Sequence, residues 1–184
     1  GKFETAQNGT LFMDDISRLN ALMQIKLLKA LQDKIIQRVG GDQNIPIDSI
    51  RMITATDRRL LEEMKVGRFR SDLYYRLQLI TLKIPPLRER RPDIPDLISH
   101  FIKKANQEMG LAVKGIEKNA LDRLTAYDWP GNARELESVI KRGAILCRSD
   151  TIGVSHIEFS ETAVARTVEN GDSGSIDSRV AVWY

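Results

Sequence analysis

Two adjacent carboxylates, Asp14 and Asp15, directly follow an apolar run in the segment GTLFMDD, residues 9–15. A third acid, Asp57, ends a second apolar run in RMITATD, residues 51–57. Because an unpaired charge is costly to bury, these acids predict either a nearby cation or a solvent-filled edge of the protein. A lone pair of aspartates is more often an acidic turn, so the surrounding elements must decide between the two interpretations.

The elements around the acids predict a parallel sheet. After Asp15, apolar residues recur at three- and four-residue steps, which predicts an amphipathic helix with Ser17 as its N-cap. The segment IIQRVGGDQNIPI predicts a hairpin; a short polar helix over 58–65 and a strand in LQLITLKI follow. Strands that alternate with helices favour parallel strands in an α/β fold, in which ligands bind beyond the carboxyl ends of the strands.

That geometry would bring the three acids to one edge of the sheet. Two carboxylates there can hold a hydrated Mg²⁺ and orient an attacking water, as phosphoryl transfer requires. The segment GRFRSDLYYRL adds Arg68, Arg70 and Arg76 with few counter-charges. A guanidinium suits phosphate because it donates two parallel hydrogen bonds, although a solvated basic helix end is the commoner role of such a stretch.

From Pro92 onward the pattern is helical. Three helices are predicted, in DIPDLISHFIKKANQEMG, EKNALDRLTAYDW and NARELESVIKRGAILC. Gly110 is a termination signal for the first, and Asn132 is available as a cap for the third. The chain is therefore predicted to divide into an α/β core over 1–91, a helical domain over 92–160, and a linker or disordered tail over 161–184. The apolar ending VAVWY has no explanation in the sequence.

Composition excludes several classes of protein. Hydrophobic residues make up 42% and charged residues 29%, which is ordinary for a soluble globular protein. The net charge of +3 is too small to indicate nucleic-acid binding. A single cysteine, Cys147, excludes an internal disulfide, and the two histidines lack metal-ligand spacing. No apolar run approaches the ~18 residues of a membrane span, so a cytoplasmic protein without a membrane partner is expected.

Five motifs occur in order: GTLFMDDI, RMITATD, GRFRSDLYYRL, IPPLRERRPDIP and WPGNARELESVI. Over roughly residues 1–160 they resemble the second half of the AAA+ domain of sigma-54-dependent transcriptional activators, the NtrC-like bacterial enhancer-binding proteins. The segments FRSDLYYRL and PPLRER distinguish this family from other AAA+ proteins. The resemblance implies a partial P-loop-type α/β core with a parallel sheet, followed by a small all-helical lid.

The resemblance also implies a role for each matching residue. Asp14, in the Walker B segment, would hold Mg²⁺ through water, and Asp15 would polarise the attacking water. Asp57 falls at the sensor I position. Arg70 and Arg76 match two arginine fingers, which reach into the nucleotide site of the neighbouring subunit.

A further residue, Arg134, matches the sensor II arginine of the lid, which touches the phosphates of ATP. In the family these parts work in a ring, usually a hexamer. ATP hydrolysis in the ring remodels the closed complex of sigma-54 RNA polymerase. DNA would be bound only through a domain absent from this chain.

Two residues depart from the family pattern. Asp15 stands where the family usually has Glu, and Asp57 where it usually has Asn or a similar neutral residue. Aspartate is one methylene shorter, and a displacement of about an ångström can cost ~100-fold in rate. The sequence contains no G-x-x-x-x-G-K-[ST] loop, the main phosphate cradle of this class. A fragment or a decayed copy of an activator is therefore expected.

Three functions compete. The first is part of a ring ATPase that activates sigma-54 transcription. The second is a non-hydrolysing oligomerisation or binding module that keeps the subunit interface and the lid. The third is a helix-turn-helix in ALDRLTAYDWPGNARELESVI. It is disfavoured because Trp129-Pro130-Gly131 interrupts it and because Glu135 and Glu137 make its second helix a poor face for a phosphate backbone.

Overall fold

The structure, a computed structural model, describes residues 1–38, 40–159 and 178–183, the last range by its backbone alone. It divides into two compact units with a boundary between Ile84 and Pro85. The α/β unit comprises residues 1–84 and 178–183, and the helical unit comprises residues 85–159. The sequence pattern had placed this division between residues 91 and 92.

The α/β unit alternates short strands and helices. Its elements are α1 (Lys2–Thr5), β1 (Thr10–Met13), α2 (Ala21–Asp33), β2 (Ile35–Gln37), β3 (Asn44–Pro46), β4 (Arg51–Thr56), α3 (Leu60–Lys65), α4 (Ser71–Leu77), β5 (Ile80–Ile84) and β8 (Ser178–Trp183). Strands β2 and β3 form the predicted antiparallel hairpin. The remaining strands form one sheet with the order β1-β4-β8-β5.

The main sheet is parallel except for its C-terminal strand. Strands β1 and β4 pair in parallel, with Met13 opposite Thr54, which confirms the predicted α/β arrangement. Strand β8 runs antiparallel to both β4 and β5, so β4 and β5 run in the same direction with β8 between them. Of the linker or disordered tail predicted over 161–184, residues 178–183 form strand β8. The other residues of that range lie outside the described residues.

Two helices cover one face of this sheet. Met52 and Thr54, alternate residues of β4 on that face, are each 2% exposed. Other buried residues of this core include Ile16, Leu27, Leu31, Leu73 and Leu77, which come from α2, α4 and the turn before α2. The seven-residue helix α4 was not predicted, because so short a segment shows little periodicity. The strand expected in LQLITLKI consequently starts later, at Ile80, since Leu77 belongs to α4.

The start of α2 differs from the sequence expectation. Its N-cap is Asn20, whose Oδ1 accepts a hydrogen bond from the Met23 backbone N–H at 2.9 Å. Ser17, the predicted cap, lies instead in a 3₁₀ turn over Ile16–Arg18. The chain makes this extra turn before the helix because Asp15 adopts a left-handed conformation with φ of 56°.

The helical unit contains the three predicted helices. Its elements are α5 (Ile94–Met109), β6 (Gly115–Ile116), α6 (Lys118–Ala126), α7 (Asn132–Leu146) and β7 (Thr151–Ile152), with β6 and β7 paired in parallel. Gly110 ends α5 with φ of 66°, as predicted. The N-cap of α7 is Gly131 rather than Asn132. The Asn132 side chain instead accepts a hydrogen bond from the Leu87 N–H at 2.8 Å.

A fully buried tryptophan lies at the centre of the helical unit. The Trp129 Nε1–H donates to the Leu124 carbonyl at 2.8 Å, and the ring packs edge-on against Tyr127 and Phe159. Leu87 is also 0% exposed in this core, which explains why the helical unit begins at the Pro85-Pro86 pair, directly after β5. Within the described ranges, no helix is both long and apolar enough to cross a bilayer.

Candidate functional site

The carboxyl ends of β1 and β4 meet at one edge of the sheet. Asp14 and Asp15 directly follow β1, and Asp57 directly follows β4. Because the two strands are adjacent and parallel, with Met13 opposite Thr54, both acidic ends lie at the edge predicted from the sequence.

An arginine joins two of these acids. Both Asp15 carboxylate oxygens are engaged: Ser17 Oγ donates to Oδ1 at 3.0 Å, and Arg18 Nε pairs with Oδ2. Nη2 of the same guanidinium lies 4.0 Å from Asp57 Oδ2. Arg18 is thus a nearby cation for Asp15 and Asp57, one of the two possibilities that the sequence predicted for the acids. Sequence reasoning missed it, although its spacing of three residues from Asp15 was a usable signal for a partner within a helical turn.

Asp14 has different surroundings. Its side chain is exposed, and its carboxylate forms no hydrogen bond or ion pair with the described residues. Mg²⁺ usually keeps several waters and binds proteins through one or two carboxylates. A free carboxylate beside an edge that also carries Asp57 fits that mode of binding. Across residues 1–38, 40–159 and 178–183 there is no cluster of three or more His, Cys, Asp or Glu side chains that would enclose a dehydrated ion.

The arginine segment has more counter-charges than the sequence indicated. Arg68 forms a two-pronged ion pair with Glu63, with Nε–Oε2 at 2.7 Å, and these hydrogen bonds hold the pKa of Glu63 below its usual value. Arg70 forms a similar pair with Asp72, at 3.0 and 2.7 Å, which lowers the pKa of Asp72. The prediction of few counter-charges was wrong because acids two and five residues away turn toward the guanidinium groups.

Arg70 and Arg76 lie at opposite ends of α4 and differ in their contacts. Arg70, the N-cap residue, has a side chain that is 46% exposed, and its ion pair with Asp72 lies in solvent. Arg76 is half-buried, and its Nη2 donates to the Leu31 carbonyl at the end of α2, at 3.0 Å. Arg70 is therefore the more accessible of the two guanidinium groups, and Arg76 also ties α4 to α2.

A buried glutamine connects α2 to the arginine segment. Gln24 is 1% exposed, and its Nε2 donates to the carbonyl oxygens of Leu19 and Arg68 at 2.8 and 2.9 Å. Its Oε1 accepts from the Arg70 backbone N–H at 2.9 Å. Sequence reasoning did not single out Gln24. The available signal was a polar residue on the otherwise apolar face of a predicted amphipathic helix.

Arg134 belongs to the helical unit and is described there by itself. It lies in the first turn of α7, its side chain is exposed, and its guanidinium has no partner among residues 85–159. The adjacent Glu135 accepts the Gly131 N–H at 2.8 Å through Oε2, which satisfies one donor at the start of the helix. Within residues 85–159, Arg134 is thus an exposed cation without a partner, close to a helix N-terminus.

Two family profiles match the chain, one to each unit. The sigma-54 interaction domain matches residues 1–83, and the AAA+ ATPase lid domain matches residues 88–172. The transcriptional regulatory protein ZraR of Salmonella typhimurium is 44% identical over 182 residues, which cover 99% of this chain and 41% of ZraR. The transcriptional regulatory protein XylR of Pseudomonas putida is 45% identical over 181 residues, covering 98% of this chain and 31% of XylR.

A solved structure shares the fold. The crystal structure of NtrX from Brucella abortus in complex with ADP superposes with a TM-score of 0.79 at 33% sequence identity, covering 86% of this chain and 37% of NtrX. NtrX was also solved with ATP. The chain thus spans about two fifths of the length of ZraR and of NtrX. It belongs to the family of sigma-54-dependent transcriptional activators and corresponds to the C-terminal part of their AAA+ module.

Proposed function

We propose that this chain is part of an ATP-hydrolysing AAA+ module that remodels sigma-54 RNA polymerase and so activates transcription. The observation that carries the proposal is the pair of acid-terminated parallel strands, β1 and β4, whose ends meet at one edge. Membership of the family and the nucleotide complexes of NtrX support it. In a protein that contains this chain we further propose a ring, most simply a hexamer, a cytoplasmic location, and DNA binding through a domain outside this chain.

Each acid has a distinct role in this proposal. Asp14, exposed and without a partner among the described residues, would hold Mg²⁺ through water, and the ion would neutralise charge that develops on the phosphates. Asp15 would orient the attacking water and accept its proton. Ser17 and Arg18 fix the Asp15 carboxylate from two directions, so its free lone pairs point in a defined direction. Asp57 stands at the sensor position, and Arg18 offsets its negative charge.

The arginines would bind the phosphates of two nucleotides, one in their own subunit and one in a neighbouring subunit. Arg134 would contact the phosphates of the nucleotide held by its own subunit. Arg70 and Arg76 would reach the nucleotide of a neighbouring subunit, where a guanidinium stabilises charge in the transition state. The exposed ion pair of Arg70 with Asp72 does not prevent this, because such pairs contribute little and a phosphate is a stronger partner for the fork of donors.

A mixing experiment tests the proposal in an ATP-hydrolysing protein that contains this chain. Arg70→Ala should lower hydrolysis by ~1,000-fold while nucleotide affinity stays nearly unchanged, and Asp14→Ala should also abolish hydrolysis. Because the two changes affect different faces of each subunit interface, mixed rings should regain part of the activity. Arg59→Ala, which removes an exposed arginine paired with Glu62, is the matched control and should hydrolyse normally. Absence of recovery at every mixing ratio would rule out action across subunits.

One observation favours the alternative, a non-hydrolysing binding module. Asp15 is shorter than the usual glutamate and is already held by Arg18 and Ser17. If this arrangement is a defect, the protein would assemble and bind nucleotide without turnover. Phosphate release by the unmodified assembly distinguishes the two functions, since steady turnover excludes the alternative.

A further inference from the structure

Gln24 holds two backbone groups on either side of one buried residue. Its amide bonds the carbonyl of Arg68 and the N–H of Arg70, which flank Phe69, itself 3% exposed. This is the pairing that a neighbouring β-strand would offer to an extended residue. The third bond, to the Leu19 carbonyl, anchors the same amide at the start of α2. The Gln24 side chain that makes all three bonds is buried, and the bonds themselves are partly buried, so removing the amide would leave three backbone groups without this partner.

The other side of this segment is also fixed. The N–H groups of Arg68 and Phe69 both donate to the Glu63 carbonyl, at 2.9 and 3.2 Å. The segment is therefore held between α3 on one side and Gln24 on the other, and Arg70 leaves it with φ of −77° and ψ of 135° as the N-cap of α4. The backbone of Arg70 is fixed, while its side chain, 46% exposed, pairs with Asp72 at the surface.

We propose that Gln24 is a positioning residue that presents Arg70 to the phosphates of a neighbouring subunit's nucleotide. The inference rests on the proposed function, because that function supplies the task for Arg70. An amide suits this position because its Nε2 donates to the Arg68 carbonyl while its Oε1 accepts from the Arg70 N–H. Arg76 does not depend on this contact, because its own bond goes to the Leu31 carbonyl.

The 184-residue chain tests the positioning role without nucleotide. Gln24→Met keeps the side-chain volume but removes all three hydrogen bonds. We expect the hydrogen-exchange protection of the Arg70 N–H to fall about tenfold or more relative to that of Gln78, whose N–H bonds to the Tyr74 carbonyl in the same helix. The NMR order parameter of Arg70 Nε should also fall, and that of Arg76 Nε should not.

Two further variants separate positioning from general destabilisation. Leu27→Ala removes a buried side chain from α2, the helix that carries Gln24. It should lower the hydrogen-exchange protection of the Arg70 and Gln78 N–H groups together and leave the ratio of the two unchanged. Gln24→Asn keeps the amide but withdraws it by one methylene, so it should lower the ratio in the same direction even if the Met variant does not fold. An unchanged ratio in the Gln24 variant that folds would overturn the proposal.

A second measurement connects the position of Arg70 to catalysis. In an ATP-hydrolysing protein that contains this chain, Gln24→Met should lower kcat about tenfold or more and leave nucleotide affinity unchanged, because Gln24 would act only through Arg70. Combining it with Arg70→Ala should cause no further loss. If Arg70→Ala alone leaves hydrolysis intact, the proposed function fails, whereas the exchange ratio in the isolated chain still decides whether Gln24 positions Arg70.

Discussion

The helical unit and the α/β unit bury their apolar surface to different extents. In the helical unit Leu87, Ile94, Trp129 and Ile140 are each 0% exposed. Its large exposed apolar side chains, within residues 85–159, are confined to Ile145 and Leu146 at the end of α7. The helices of this unit therefore cover one another and complete a core without help from elsewhere.

The α/β unit leaves one face of its sheet open. Phe12 is 57% exposed, and Ile80 and Leu82 are 42% and 54% exposed. The register runs from Phe12 to Ile53, then across β8 to Ile80, so these three residues form one row, and Leu82, two residues after Ile80, lies on the same face. Parallel sheets are normally covered on both faces. The three acids of the candidate site, together with Arg70 and Arg76, thus lie in the unit that depends more on additional covering, whereas Arg134 lies in the helical unit.

The largest effect that separates the two units should come from Trp129→Ala. Removing this fully buried ring should lower the free energy of unfolding of the helical unit by about 3–5 kcal/mol, because the change leaves a cavity and a Leu124 carbonyl without its Trp129 partner. Hydrogen exchange should show lower protection in the helical unit and unchanged protection in the α/β unit. Trp129→Phe, which keeps most of the apolar volume, is the control and should cost less. Equal losses in both units would show that they do not unfold independently.

The next effect concerns β8, which completes the sheet between β4 and β5. Ala181 pairs with Thr54 on one side and Thr81 on the other, so Ala181→Pro removes a ladder hydrogen bond in a central strand. We expect the α/β unit to lose about 1–3 kcal/mol in denaturant unfolding. Ser178→Pro alters the first residue of the strand, where proline is tolerated, and should change little. Equal stability of the two variants would contradict the central position of β8.

A smaller effect should follow from changing the open face. Phe12→Ser should reduce concentration-dependent self-association of the 184-residue chain, since this ring is exposed in an apolar row. Its effect on stability should lie within about 0.5 kcal/mol, as is usual for exposed positions. Leu22→Ser removes a side chain of similar exposure, 59%, from α2 outside that row and should leave association unchanged. Sedimentation velocity at several concentrations measures the difference.

The smallest effect concerns pH. Arg68 lowers the pKa of Glu63 from 4.5, so the folded state binds that proton less readily than the unfolded state does. This pair therefore stabilises the α/β unit above pH 4.5, and the contribution is lost as the pH falls through the folded pKa. Arg68→Ala should raise the Glu63 pKa, measured by carboxyl NMR titration. Arg58 remains as a second partner, with its Nη1 3.6 Å from Glu63 Oε1. Arg59→Ala, whose partner is Glu62, should leave the Glu63 titration unchanged.

The sequence by itself determined the elements whose signals are local. The periodicity of α2 and α5, the Gly110 termination of α5, and the apolar runs that become β1 and β4 all follow from backbone geometry over a few residues. The common edge of Asp14, Asp15 and Asp57 was also predictable, because the ends of adjacent parallel strands must meet there. Family membership followed from the order of five motifs.

Only the tertiary structure decided which residues the side chains of the site contact. Gln24 contacts Arg68 and Arg70 across more than forty residues, and β8 enters the sheet far from its neighbours in the chain. Arg18 joins Asp15 to Asp57 because the folded strands bring the two acids close together. Such contacts depend on which residues, distant in the sequence, the fold brings close together, and that proximity has no periodic signature in the sequence. For that reason the edge of the site was predictable, whereas the long-range contacts of Arg18 with Asp57 and of Gln24 with the arginine segment were not.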